Sequence, residues 1–252
     1  MSLETIILAA GKGTRMRSKL PKVLHKVGGK AMLQHVVDAA KGAGSEREVV
    51  VIGSGAQLVE QTISGVEFVM QEEQLGTGHA VLSAKKNFEK STGTVLILCG
   101  DTPLLTNELL KKFTAAHEDS KCAATVLTAK MPDATGYGRI IRDLDGSLEK
   151  IVEEKDANEF EKKINEVNAG VYCFDVQKLF GALEKIGNNN SQGEYYLPDA
   201  LTILKDAGEK IGAFRANYAD ETLGINSRVQ LAAADKIFRM KKIMSLWKRA
   251  SR

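Results

Sequence analysis

The chain has 252 residues, 43% of them hydrophobic and 27% charged, enough for one large domain or two intimate lobes with a substantial core. The formal net charge of +3 is uneven: residues 228–252 hold eight Lys/Arg against one Asp, and the rest of the chain is acidic, which excludes a globally basic nucleic-acid binder. No run approaches the roughly 20 apolar residues of a membrane span. No basic-then-apolar leader opens the sequence. Cys99, Cys122 and Cys173 stand singly in apolar runs without zinc-type spacing, so buried thiols in a reducing, cytoplasmic protein are expected.

Residues 5–10 (TIILAA) read as a strand buried on both faces. A glycine loop follows, Gly11-Lys12-Gly13-Thr14-Arg15-Met16, then Leu20-Pro21-Lys22 and a segment with helical signals. Gly11 and Gly13 permit close approach and φ > 0, and Lys12, Arg15, Lys19 and Lys22 surround the loop with positive charge. Converging N–H groups and cations suit a polyphosphate. The dinucleotide fingerprint is excluded, since Met16 stands at its third glycine and no acidic residue ends the second strand. The Walker A pattern does not occur. An ordinary strand-to-helix turn is the plainer reading of the loop alone.

Apolar spacing predicts a helix over 30–43, ending at Gly42 or Gly44. Strands at 48–52 and 66–70 flank a helix near 56–62, an alternation that argues for βαβ units and a mainly parallel sheet. Gln71-Glu72-Glu73-Gln74-Leu75-Gly76-Thr77-Gly78-His79 then stands at the carboxyl edge, where open α/β sheets bind ligands. A glutamine carboxamide can pair with a pyrimidine edge; the plainer reading is a polar loop with Thr77 as helix N-cap. His79 is expected to pack or cap, with no acid or base role. Strand 94–99 ends in Gly100-Asp101-Thr102-Pro103. A carboxylate at a strand tip suits Mg²⁺, which keeps most of its waters, whereas an Asp turn before proline is the plainer alternative. A helix over 106–117 has Thr106 or Asn107 as cap.

From Cys122 the pattern changes. Strand-like runs at 122–129, 138–142 and 148–153, with little helix between them, predict an antiparallel excursion. A strand at 171–174, a helix at 175–186, a loop at 187–190 and a strand at 211–214 follow. Residues 228–249 form a long helix whose stripe Ala233, Ile237, Met240, Met244 and Trp247 must be buried.

These motifs, in this order, resemble the sugar-phosphate nucleotidyltransferases. Leu8 to Met16 with Leu20-Pro21-Lys22 matches the family's L-A-A-G-K-G-T-R-M and L-P-K signature. The resemblance implies nucleotide contacts from Leu8, Ala9, Ala10 and Gly11, and phosphate contacts from catalytic Arg15 and Lys22. Q-x-x-Q-L-G-T-G-H-A is similar to the uracil-reading segment of the N-acetylglucosamine-1-phosphate uridyltransferases, which implies roles for Gln71, Gln74, Gly76 and Thr77. The G-D-x-P match implies that Asp101 is catalytic and binds Mg²⁺, beside substrate contacts from Cys99 and Gly100. Y-G-R-I, V-E-E-K-D and E-V-N-A-G place Gly138, Glu153 and Asn168 as sugar contacts, although Ala169 replaces the threonine usual there. Q-G-E-Y-Y borders the acetamido-sugar site, with Tyr195 and Tyr196 expected to pack. The likeness to the family's G-x-N-x-R implies that Asn226 is the second Mg²⁺ ligand; N-capping the last helix is its plainer reading, and the two are compatible.

The expected fold is α/β: a Rossmann-like mixed, mostly parallel sheet flanked by helices, with an antiparallel sugar-binding lobe and a C-terminal helix. The nucleotidyltransferase domain is expected over 1–226 and a linker helix over 227–252. In bifunctional members a helix here leads into a left-handed β-helix acetyltransferase domain; no hexapeptide repeat follows Arg252, so no acetyltransferase activity and a monomer or weak dimer are expected. The implied reaction joins UTP and N-acetylglucosamine 1-phosphate into UDP-N-acetylglucosamine, a cell-wall precursor, and pyrophosphate. No Ser/His/Asp or Cys/His nucleophile set is present, and a sugar phosphate with a second pKa near 6 needs no general base. Thymidylyl or cytidylyl transfer, and a non-catalytic nucleotide sensor, remain the alternatives. No nucleic-acid partner and no membrane insertion are expected.

Overall fold

The structure, a computed structural model, describes residues 2–250. β1 (Leu3–Leu8) leads through two 3-10 turns to a small hairpin, β2 (Lys26–Val27) and β3 (Lys30–Ala31), and then to α1 (Met32–Ala43). β4 (Arg47–Ile52), α2 (Ala56–Thr62), β5 (Glu67–Met70), α3 (Thr77–Ser83), β6 (Thr94–Cys99) and α4 (Asn107–Ser120) follow in alternation. The remainder comprises β7 (Ala124–Lys130), β8 (Arg139–Arg142), β9 (Leu148–Val152), β10 (Glu166–Asp175), α5 (Val176–Leu183), α6 (Asp199–Asp206), β11 (Ile211–Arg215) and α7 (Arg228–Ala250).

The main sheet runs β11-β7-β10-β6-β1-β4-β5. β1 pairs in parallel with β4 and β6, β4 with β5, and β7 with β11, while β10 is antiparallel to both neighbours. A strand buried on both faces must be apolar throughout, and β1 and β6 show why. Ile6, Val95 and Ile97 meet Val81 of α3 and Leu179 of α5 on one face. Ile7, Leu96 and Leu98 meet Leu33 and Val36 of α1 and Phe113 of α4 on the other. Each such side chain contributes about 1.5–3 kcal/mol when fully buried.

The antiparallel excursion is narrower than the sequence suggests. The run at 122–129 is β7, a full member of the main sheet, and the excursion is the β8–β9 hairpin, joined to β10 at Val167↔Arg139. β10 is longer than the expected 171–174, and its register on β7 shifts between Asn168 and Tyr172. Gly170, at φ +70°, lies within that shift, where a bulge bends a strand and re-aims side chains. β10 thereby belongs both to the core and to the lobe.

Two other expectations are corrected. No α-helix follows the glycine loop: residues 14–16 and 22–24 make 3-10 turns, and α1 starts only at Met32. Pro21 in an extended cap and the positive-φ pair Gly28-Gly29 break the pattern. The stripe packed on α7 is Leu231, Ala234, Ile237 and Phe238, set against Val27, Met32, Leu104 and Ile225. Met240, Met244 and Trp247 are exposed, and Ala233 faces solvent as well. α6 is an element the sequence reading omitted. Among the described residues no helix is long and apolar enough to cross a membrane.

Candidate active site

The carboxyl ends of β1, β5 and β6 open on one cleft of about 520 Å³. Leu8, Ala9, Ala10 and Gly11 form one wall, continuing through Lys12, Gly13 and Thr14 to Arg15. Gly13 is left-handed at φ +60°, and a Cβ there would stand 2.7 Å from Lys22 Cβ, so glycine allows residues 13 and 22 to touch. Gly11 has open space and no positive φ, so its expected conformational role does not hold. The N–H of Ala9 is bonded to the Val51 carbonyl and those of Met16 and Arg17 to Gly13 and Thr14, while the amides of residues 10–13 have no backbone partner among the described residues. With no helix behind it, the cradle's positive potential comes from these amides and from side-chain cations.

Opposite the loop, Asp101 lies two residues past β6. Lys22 Nζ donates to Asp101 Oδ2 at 2.5 Å and to Asn226 Oδ1 at 3.0 Å. Arg15 Nη2 donates to the same Asn226 oxygen at 2.9 Å. The Ile225 N–H donates to the Asp101 carbonyl at 2.9 Å, which ties the segment before α7 to the tip of β6. Arg228 holds the loop from below, its guanidinium donating to the Met16 carbonyl at 3.0 Å. Residues distant in sequence, 15, 22, 101 and 226, therefore meet at one point. Among the described residues no group of three or more His, Cys, Asp and Glu side chains could hold a metal. The fit is that of an ion taking few protein ligands: one carboxylate and one carboxamide oxygen, both hard donors, already sharing one ammonium as stand-in cation. Ser227, rather than Asn226, caps α7 by accepting from the Gln230 N–H at 3.2 Å, and Gln230 Oε1 accepts from the Asn226 N–H at 2.7 Å.

The far end of the cleft is lined by Gln71, Gln74, Gly76 and Thr77. Gln71 is buried, and its Nε2 donates to the Gly76 carbonyl at 3.3 Å and lies 3.0 Å from His79 Nδ1. Gly76 (φ +113°) is the N-cap position of α3, with no side-chain cap. Thr77 does not cap: its Oγ1 accepts from the Leu197 N–H at 3.0 Å. Gly78 N–H to the Tyr195 carbonyl and Tyr195 N–H to the Leu75 carbonyl, both 2.8 Å, zip the 75–78 segment to the 195–197 segment. Thr106, of the two candidates, caps α4, accepting from Leu109 N–H at 3.2 Å.

Gly138, Glu153 and Asn168 line an adjoining cavity of about 220 Å³, which shares Leu8, Thr77, Cys99, Asp101 and Asn226 with the cleft. Gly138 lies against Glu153, whose Oε1 would be 3.1 Å from a Cβ at 138. Burial pushes the Glu153 carboxyl above the usual range, and Asp156 and Asp199 push it further. Asn168 Nδ2 donates to Tyr172 Oη at 2.7 Å and its Oδ1 accepts from the Gly170 N–H at 2.9 Å. Burial pushes the Cys99 thiol up to about 12, so it stays a thiol and supplies no nucleophile. Gly100 lies beneath the floor, its N–H bonded to the Leu8 carbonyl and its α-carbon beside Leu33, and it lines neither cavity.

The sequence reading missed Tyr137, Tyr172, Thr222 and Gly224 of the second cavity. It also missed Arg139, a buried guanidinium paired with Glu154 at 2.7 Å and bonded to the Tyr137 carbonyl. Tyr172 was findable: it shares β10 with Asn168, four residues on. Tyr137 and Arg139 flank Gly138 in the Y-G-R-I segment, but their own places depend on the β8–β9 hairpin folding back.

This fold, with a basic glycine loop facing a strand-tip carboxylate, defines a nucleotidyltransferase domain, and the chain belongs to the MobA-like NTP transferase domain family, whose model matches residues 5–191. Among curated proteins it is similar to the bifunctional protein GlmU of an Exiguobacterium species, 54% identical over 235 residues (93% of this chain, 52% of the relative). It is also similar to the bifunctional protein GlmU of Halalkalibacterium halodurans, 52% identical over 245 residues (97% and 54%), and of Clostridioides difficile, 51% identical over 240 residues (95% and 52%). The chain spans about half the length of the curated relatives it matches. Among solved structures, a UDP-glucose pyrophosphorylase complexed with UDP-glucose shares the fold, with a TM-score of 0.78 at 20% identity over 96% of this chain and 100% of that one.

Proposed function

We propose that the protein transfers uridylyl groups to N-acetylglucosamine 1-phosphate, giving UDP-N-acetylglucosamine and pyrophosphate. The carrying observation is that Asp101 and Asn226 already share one cation, Lys22 Nζ, beside the glycine loop. UTP lies with its base toward Gln71, Gln74, Gly76 and Thr77 and its phosphates along residues 10–15. The sugar phosphate occupies the adjoining cavity, its hydroxyls met by Glu153, Asn168 and the Gly138 backbone. Carboxylate, amide and peptide groups together supply the donors and acceptors that a sugar requires. The attacking phosphate oxygen is largely anionic at pH 7, so catalysis consists of alignment and charge neutralisation. Arg15, Lys22 and the loop amides neutralise charge developing on the α-phosphate and on the leaving pyrophosphate. Mg²⁺, held by Asp101 and Asn226, would supply Lewis-acid neutralisation of phosphate oxygens.

The test is pyrophosphate release from UTP, N-acetylglucosamine 1-phosphate and Mg²⁺, with and without a chelator, across nucleotides and sugar phosphates. Turnover with this pair, abolished by chelation, is expected. Binding of UTP without turnover would mark a sensor, and preference for another nucleotide or sugar would overturn the assignment.

A further inference from the structure

Resting on the uridylyl reading, a second question concerns what fixes the orientation of Gln71. A carboxamide is nearly symmetric in shape and opposite in chemistry at its two ends. Inverted, the same side chain would present donors where it had presented an acceptor. The surroundings of Gln71 remove that freedom. Its nitrogen is 3.3 Å from the Gly76 carbonyl, which can only accept, so the NH₂ end faces Gly76. The same nitrogen is 3.0 Å from His79 Nδ1. A donor on one side requires an acceptor on the other, so Nδ1 carries a lone pair and the imidazole proton sits on Nε2. Both amide hydrogens are then used within the protein. Oε1 has no hydrogen-bond partner among the described residues, and Gln71 lines the cleft. The side chain is left with one function toward a ligand, that of an acceptor.

Uracil carries a hydrogen on N3 and cytosine carries a lone pair there. An acceptor fixed in place complements the first and opposes the second. The Gly76 contact is the longer of the two, and the Gly76 carbonyl is shared with the Ala80 N–H at 3.1 Å, so His79 is the stronger lock. His79 is itself held in the first turn of α3, with its ring 6.4 Å from that of Tyr195.

We propose that His79 is a specificity-determining positioning residue: as the Nε2–H tautomer, it holds the Gln71 carboxamide with its oxygen toward the base and so selects nucleotides whose base donates at N3. It touches neither substrate nor the reacting atoms.

Two measurements test this. The first needs only the wild-type protein: long-range ¹H–¹⁵N correlation of its four histidines, with the His79 signals assigned by their loss in His79→Asn. An unprotonated Nδ1 is expected, and a protonated Nδ1 would overturn the proposal. The second is the ratio of kcat/KM for UTP over CTP. His79→Leu removes the acceptor, and the ratio should fall about tenfold or more, the scale at which a lost hydrogen-bond match discriminates, with KM for the sugar phosphate within about twofold. His79→Asn puts an amide oxygen near the place of Nδ1 and should keep the ratio within about threefold. An unchanged ratio in folded His79→Leu, or a collapsed ratio in folded His79→Asn, would reduce His79 to packing. If His79→Leu does not fold, the tautomer and His79→Asn decide. A wild-type protein that turns over no uridine nucleotide defeats the uridylyl reading instead, and the tautomer still judges the His79 arrangement separately.

Discussion

Lys22 Nζ stands 2.5 Å from Asp101 Oδ2, and both side chains are largely shielded, at 15% and 16% exposure. The pair joins the loop after β1 to the tip of β6, and Asn226 completes it as a second acceptor for the same ammonium. On the proposed reading, the lysine sits where a divalent ion held by Asp101 and Asn226 would sit, and the two cations would compete for one carboxylate.

That competition has a measurable consequence. Removing the ammonium in Lys22→Ala frees Asp101 and Asn226, so Mn²⁺ titrated into the nucleotide-free protein should bind more tightly than to wild type. Turnover should fall at least about a hundredfold in the same variant, because one preorganised charge at the phosphates is lost. Equal Mn²⁺ affinity in the two proteins, read by electron paramagnetic resonance, would separate Lys22 from the ion's site. Asp101→Ala should lose turnover on the same scale of about a hundredfold at saturating Mg²⁺, and near-normal activity would remove Asp101 from the mechanism.

Glu153 supplies a pH signature. Burial, then Asp156 and Asp199, raise its carboxyl above the ordinary range. A carboxylate with a raised pKa takes up its proton earlier as pH falls, and as the proposed sugar contact Glu153 would then lose acceptor capacity toward the sugar hydroxyls. KM for the sugar phosphate should therefore rise as the pH is lowered, with an apparent pKa above that of an ordinary glutamate. Asp199→Asn removes one repelling charge and should lower that apparent pKa. The substrate's own titration is common to both proteins, so an unshifted profile in the variant would assign the effect to the substrate alone.

His117 on α4 is buried, with Nδ1 2.8 Å from Thr125 Oγ1 of β7, and burial lowers its pKa to about 4. The unfolded chain protonates this residue near 6.5, where the folded protein does not. Stability is therefore full above that value and is lost as the pH falls toward 4, by roughly 2 kcal/mol between pH 7 and pH 5 from this group. Urea unfolding at the two pH values should show the loss, and His117→Gln should flatten it. An equal slope in the variant would place the pH dependence elsewhere.

Gly76 is where the base-side loop and the 195–197 segment touch. Its φ is +113°, and a Cβ would lie 2.6 Å from the Tyr195 carbonyl oxygen and 2.8 Å from its nitrogen. Both obstacles are backbone, so Gly76→Ala should cost roughly 2–4 kcal/mol and weaken UTP binding more than sugar-phosphate binding. Calorimetric melting and separate KM values check this; a melting temperature within a degree of wild type would mean the two segments part without cost.

The legible parts of the fold were those governed by local rules. β1, β4 and β6 are apolar because both faces are covered, and Asp101 follows the strand tip by two residues, so its place at the cleft mouth could be read directly. Asn226 could be joined to Asp101 only through family resemblance, since the two meet across 125 positions by way of the Ile225 backbone bond. β7 was misplaced in the excursion because a strand's sheet is decided by its partners, and Val126 pairs with both Tyr172 and Ala213. The stripe on α7 was misphased because, among the described residues, its apolar packing falls on the first turns, at Leu231, Ala234, Ile237 and Phe238. Phe238 sits edge-on to His35 and against Gly28, whereas Met244 and Trp247 face solvent. The amide lock on Gln71 had one visible trace, a histidine eight residues downstream on the following helix.

The most direct test of the convergence of Asp101 and Asn226 is anomalous diffraction from crystals grown with Mn²⁺ and UDP-N-acetylglucosamine. The account predicts a single manganese peak within coordination distance of Asp101 Oδ and Asn226 Oδ1, with Lys22 Nζ moved off the carboxylate onto a phosphate oxygen. A peak elsewhere, or a Lys22–Asp101 contact unchanged beside an ordered diphosphate, would contradict it.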